Sequence, residues 1–90
     1  MTSDILHVTI HDLNKTTYEG VATAVSSINE IGPFDILGQH ENFISIIKSF
    51  IRVHQTDGKK IEFNIDSGVL KNYNNQITIF LGVGSSIPQA

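Results

Sequence analysis

The residues able to do chemistry in this chain are four histidines, at positions 7, 11, 40 and 54, and nine acidic residues. His7 and His11 stand four apart, a spacing that brings two metal ligands together on a helix face. They lie in "LHVTIHD", however, which is β-branched and reads as a strand, so no metal pair is expected there. Asp4, Asp12, Glu19, Asp35 and Asp66 show no paired spacing of the kind used in general acid–base catalysis. No serine, threonine or lysine has a recognisable base beside it. "GVGSS" (82–86) lacks both the lysine and the following helix of a phosphate-binding loop. There is no cysteine, hence no disulfide, thiolate metal site or redox motif. Catalytic, metal-binding and cofactor-binding roles are therefore not expected, and the chemistry left is recognition.

One stretch invites that reading. In "FDILGQHENFIS" (34–45) the polar run Gly38 to Asn42 interrupts Phe34, Ile36, Leu37 and Phe43. A buried strand or helix does not carry Gly-Gln-His-Glu-Asn. On residues alone, the four apolar positions are core and 38–42 is a loop on the surface.

The elements that position this loop follow from pattern. Ninety residues make one domain, with 40% hydrophobic and 17% charged content, which suits a folded chain. The net charge is −3 and the six Lys and Arg are scattered, so nucleic acid is not an expected partner. No apolar run is long enough to cross a bilayer, no basic amphipathic helix is present, and the N-terminus does not read as a secretory signal. "LHVTI" (6–10) reads as a strand, with Asp12 and Asn14 in the turn after it. In "TTYEGVATAVSSI" (16–28) the alternation slips around Glu19-Gly20, as at a bulge or a break between two strands.

Two hairpins are specific down to register. In "SFIRVHQTDGKKIEFNI" a two-residue Asp-Gly turn would set Val53 opposite Glu62 and mix faces. A three-residue loop, Thr56-Asp57-Gly58, sets Val53 against Ile61, Ile51 against Phe63 and Arg52 against Glu62, with Gly58 left-handed. Phe63 is then expected in the core. In "SGVLKNYNNQITIFL" a two-residue turn at Asn74-Asn75 sets Leu70 against Ile79 and Lys71 against Thr78, leaving Asn72 opposite Ile77 as the one mismatch. "ENFISIIKSF" stays ambiguous: Phe43, Ile46, Ile47 and Phe50 have helical spacing, while the β-branched residues favour a strand. The whole series of short strands points to an all-β sandwich.

This order of motifs resembles the N-terminal β-sandwich domain of the F-type ATP synthase epsilon subunit, the mitochondrial delta equivalent. "LHVTI" (6–10), "YEG" (18–20), "GPFDILGQHENFIS" (32–45), "IRVHQTDG" (51–58) and "SGVLKNYNNQITIFL" (67–81) are similar to successive family segments. The resemblance implies a flattened antiparallel sandwich of about ten short strands. It implies a domain over 1–84 with a loose tail at 85–90, and strand rather than helix at 43–50. It implies a non-catalytic central-stalk subunit that links the gamma subunit to the c-ring in ion-driven ATP synthesis. Such a chain sits at the cytoplasmic side of the membrane, peripheral through the complex and without direct insertion. Phe34, Ile36 and Leu37 would anchor the loop, and Gln39, His40 and Glu41 would face the ring. The family's Pro-Gly before the histidine is Gly38-Gln39 here, which implies a more flexible loop. The C-terminal helical hairpin that the family uses to inhibit hydrolysis has no counterpart in these residues. The contrasting reading is an autonomous β-sandwich module that binds a protein or ligand through 38–42, which would require an aromatic-lined pocket.

Overall fold

The computed structural model describes residues 5–12 and 15–82. Asn14 and the tail at 85–90 lie outside the described residues. Six strands, and no helix, make up the described chain: β1 (Leu6–Asp12), β2 (Lys15–Ile28), β3 (Pro33–Leu37), β4 (Phe43–Gln55), β5 (Lys60–Tyr73) and β6 (Gln76–Leu81). The expectation of about ten short strands is corrected to six, because β2, β4 and β5 run 13 or 14 residues and bend instead of breaking. Residues 43–50 are extended, as the family resemblance implies and as their β-branched side chains favour.

The sheet order is β1-β6-β5-β4-β2-β3, and β1 also pairs with β2. β1, β2, β4, β5 and β6 thus close into a barrel-like sandwich, with β3 added outside β2. Four of the contacts around this ring are antiparallel, and β1 with β6 is parallel. A ring of five strands cannot alternate direction all the way round, so one parallel contact is forced. The expectation of a purely antiparallel sandwich is corrected accordingly.

Bulges let one strand serve two layers by switching which residues face inward. In β5, Phe63 and Ile65 face inward before Asp66, and Gly68, Leu70 and Asn72 after it, because Ser49 pairs with Ile65 while Lys48 pairs with Ser67. In β2 the switch falls at Thr23, the extra residue between the Ala22–Gln55 and Ala24–His54 pairs. This moves the phase slip from its expected place at Glu19-Gly20, which pair regularly with Thr9 and Val8.

Both hairpin registers are as read from the sequence. Val53 faces Ile61, Ile51 faces Phe63 and Arg52 faces Glu62, and the last pair forms a 2.8 Å ion pair on the wet side. Gly58 has φ 89°, and Asp57 Oδ1 accepts from the Lys59 amide. Leu70 faces Ile79, and Asn74 and Asn75 both have positive φ, at 50° and 66°.

The core draws on every strand: Leu6, Val8 and Ile10 from β1, Val25 from β2, Ile36 from β3, Ile47, Ile51 and Val53 from β4, Leu70 from β5, Ile77 and Ile79 from β6. Phe63 is only half-buried, beside Tyr18 at a centroid distance of 5.4 Å, which corrects its expected place in the core. Gly68 lies close against the main chain of β6. A Cβ there would lie 2.9 Å from the Phe80 carbonyl oxygen, which is main chain and cannot swing aside. Around Gly58 a Cβ would meet nothing, so only its left-handed backbone opposes substitution. Gly68→Ala is therefore expected to cost about 2–3 kcal/mol by overpacking. Gly58→Ala should cost only about 1 kcal/mol. Urea unfolding of the two variants checks the order.

Candidate functional site

The loop 38–42 leaves the end of β3 and enters β4. Its root is set by strand alternation. β3 lies along β2, with Leu37 paired to Ala24, Ile36 to Val25 and Phe34 to Ser27. Ile36 turns inward and is fully buried, and Phe34 is half-buried on the same side. Phe34 stands edge-on to Phe43 at 6.1 Å, and Phe43 in turn meets the His40 ring at 5.0 Å. This run of rings joins the two strands that carry the loop. Leu37 is a correction: it is 58% exposed and does not enter the core with Ile36. Adjacent residues of a strand point to opposite faces, so Ile36 and Leu37 cannot both enter one core.

β3 is also held from outside. Asp35 Oδ1 accepts from Ser26 Oγ at 2.5 Å, and the same hydroxyl lies 3.1 Å from His54 Nε2, which ties β3, β2 and β4 together. The chain then reverses through Leu37-Gly38-Gln39-His40. The His40 amide donates to the Leu37 carbonyl at 3.2 Å, and Gln39 has φ 67°. A positive φ at this third turn position is normally left to glycine.

Gln39, His40, Glu41 and Asn42 are all exposed, as the tip residues were expected to be. The expected flexibility of this tip is not what its contacts favour. It is bonded to the β5–β6 turn by side chains that carry no charge. The Gln39 amide donates to Asn75 Oδ1 at 2.7 Å, and the Asn74 amide donates to Asn42 Oδ1 at 2.8 Å. From the interior, Asn72 Nδ2 donates to the carbonyls of His40 at 3.3 Å and Glu41 at 3.1 Å. The asparagine that mismatched Ile77 in the hairpin is thus part of the site. The mismatch was the signal available in the sequence; its partners, 31 and 32 residues away, were not.

The arrangement presents an imidazole, an amide and a carboxylate on a braced turn, a surface suited to hydrogen bonding with a polar partner. The shallow recess between loop and turn is lined by Gln39, His40, Glu41, Asn42, Asn74 and Asn75. That lining has no Phe, Tyr, Trp or aliphatic side chain, which disfavours the reading as a ligand-binding module. Among the described residues no three His, Asp or Glu side chains are grouped to hold a metal ion, and no helix is long and apolar enough to cross a membrane.

The division between root and tip predicts a contrast. Ile36→Ala should cost about 2–4 kcal/mol by opening a cavity at the base of the loop. Leu37→Ala and His40→Ala, both exposed, should each stay within about 0.5–1 kcal/mol of the parent. Thermal or urea unfolding of the three variants decides it.

Comparison with known proteins agrees with this geometry. Residues 5–82 match the family described as ATP synthase, Delta/Epsilon chain, beta-sandwich domain. The ATP synthase epsilon chain of Clostridium botulinum (strain Eklund 17B / Type B) is 31% identical over 68 residues, covering 74% of this chain and 51% of that protein. The chain thus spans about half the length of this curated relative. Among solved structures, a chain of the Euglena gracilis mitochondrial ATP synthase OSCP/F1/c-ring assembly superposes with a TM-score of 0.84 at 17% identity, covering 97% of this chain and 56% of that one. A chain of the Tetrahymena thermophila mitochondrial ATP synthase central stalk and c-ring gives 0.68 at 10% identity, covering 90% and 66%. At these identities the structural likeness speaks for the fold. The match across 5–82 decides the family: the chain belongs to the β-sandwich domain family of the ATP synthase delta and epsilon chains.

Proposed function

We propose that this sandwich is a non-catalytic module of the central stalk of a rotary ATP synthase, seated on the gamma subunit and turned toward the c-ring. The match of residues 5–82 to the delta/epsilon family carries this reading. The assemblies that contain its structural neighbours, described as OSCP/F1/c-ring and as central stalk and c-ring, support it. The module would act in ion-driven ATP synthesis from the cytoplasmic side of the membrane, held there through the complex.

In this reading Gln39, His40 and Glu41 meet the polar surface of the ring, while Phe34 and Ile36 hold the loop to the sandwich. A stalk that passes torque must not slip. A buried apolar root and a braced, hydrogen-bonding tip meet that need, since interfaces are commonly built from a buried core and a polar rim. Co-expression with the gamma and c subunits tests it. The parent chain is expected to be retained by the gamma–ring assembly. The variant Gln39→Ala, His40→Ala, Glu41→Ala is expected to bind about tenfold or more weakly while folding normally, because exposed loop changes leave stability nearly untouched. Failure of the parent chain to associate with either subunit would contradict the proposal.

A further inference from the structure

Resting on the ring-contact reading of the loop, we propose that Asn72 is a positioning residue for the 38–42 tip, kept in the core at the expense of stability. Asn72 faces inward from β5, paired with Phe43 on one side and Ile77 on the other, and is only 1% exposed. These surroundings suit an aliphatic side chain. What asparagine adds is one amide nitrogen with two hydrogens, directed at the carbonyls of His40 and Glu41. Those are two of the three residues proposed to face the ring.

The arrangement has a cost that can be located. With Nδ2 turned to the loop, Oδ1 is turned away from it, and that atom is buried without a hydrogen-bond partner among the described residues. A buried, unpaired acceptor destabilises a fold, whereas replacing it with an apolar group of similar shape is close to neutral or stabilising. Flipping the amide would set oxygen against two carbonyl oxygens, so the loop dictates the orientation. The bonds from Asn42 and Asn75 lie on the exposed side, where water competes; the bonds from Asn72 come from inside. In a turn where Gln39 takes the left-handed position, this interior hold supplies the rigidity that a Pro-Gly pair would give.

The test uses the full chain. In the parent, both Nδ2 protons of Asn72 are expected to exchange slowly with solvent in NMR spectra; fast exchange overturns the proposal without any variant. In Asn72→Leu, or Asn72→Val should leucine not be accommodated, the urea midpoint is expected to stay level or rise. The amides of residues 39–42 are expected to exchange about tenfold faster or more. Affinity for the gamma–ring assembly is expected to fall about tenfold as the tip loses its preorganisation. A lowered midpoint with unchanged loop exchange would make Asn72 an ordinary core residue and overturn the inference. Faster loop exchange with unchanged affinity would sustain the hold of Asn72 on the loop and overturn the ring-contact reading.

Discussion

Closure of the sheet through β1 is the constraint on which the rest depends. β1 is seven residues long, yet it seals the ring by pairing with β2 along one edge and β6 along the other. Its inward side chains, Leu6, Val8 and Ile10, are essentially inaccessible to solvent. A small domain buries a limited share of its surface, so open sheet edges and half-filled layers would be hard to sustain. Closure lets six strands act as two layers, with β2, β4 and β5 passing from one to the other. Bulges make that passage possible, since a regular strand crossing between layers would carry its apolar residues outward.

The same closure creates the site. Because β6 must return beside β1, the β5–β6 turn comes to lie against the loop between β3 and β4. The His7 amide donates to the Asn75 carbonyl, so the turn that holds the loop is itself fixed to the closing strand. Three asparagines, 42, 72 and 75, then convert proximity into a defined tip conformation. Backbone groups of the loop are satisfied by amide side chains, which direct without adding charge. The His40 ring itself rests on Phe43, with Nδ1 3.0 Å from the Glu41 carbonyl oxygen.

Much of this was legible in the sequence where turn chemistry and parity act together. The Thr56–Gly58 loop and the Asn74-Asn75 turn fix two registers, because a one-residue error would mix apolar and polar faces. Periodicity alone was silent on residues 43–50: Ile46 and Ile47 are neighbours in a helical stripe, but in the strand Ile47 is buried and Ile46 is 72% exposed. Alternation within Pro33–Leu37 would have excluded Leu37 as an anchor, had a strand been placed there. The parallel β1–β6 contact is a property of the closed ring and belongs to no local stretch. The Asn72 contacts join positions far apart in sequence, and only the fold brings them together. What the sequence carried was their trace, a polar residue on an apolar face.

The central claim is that the tip at residue 40 points to the ring while the sandwich rides on the stalk. Site-directed disulfide cross-linking in the assembled complex measures this directly, since the chain has no cysteine of its own. His40→Cys is expected to form a disulfide with a cysteine placed in the polar loop of the ring subunit. Asp57→Cys, in the β4–β5 turn at the other end of β4, is expected not to form one. Cross-linking through position 57 with none through position 40 would reverse the orientation and contradict the account.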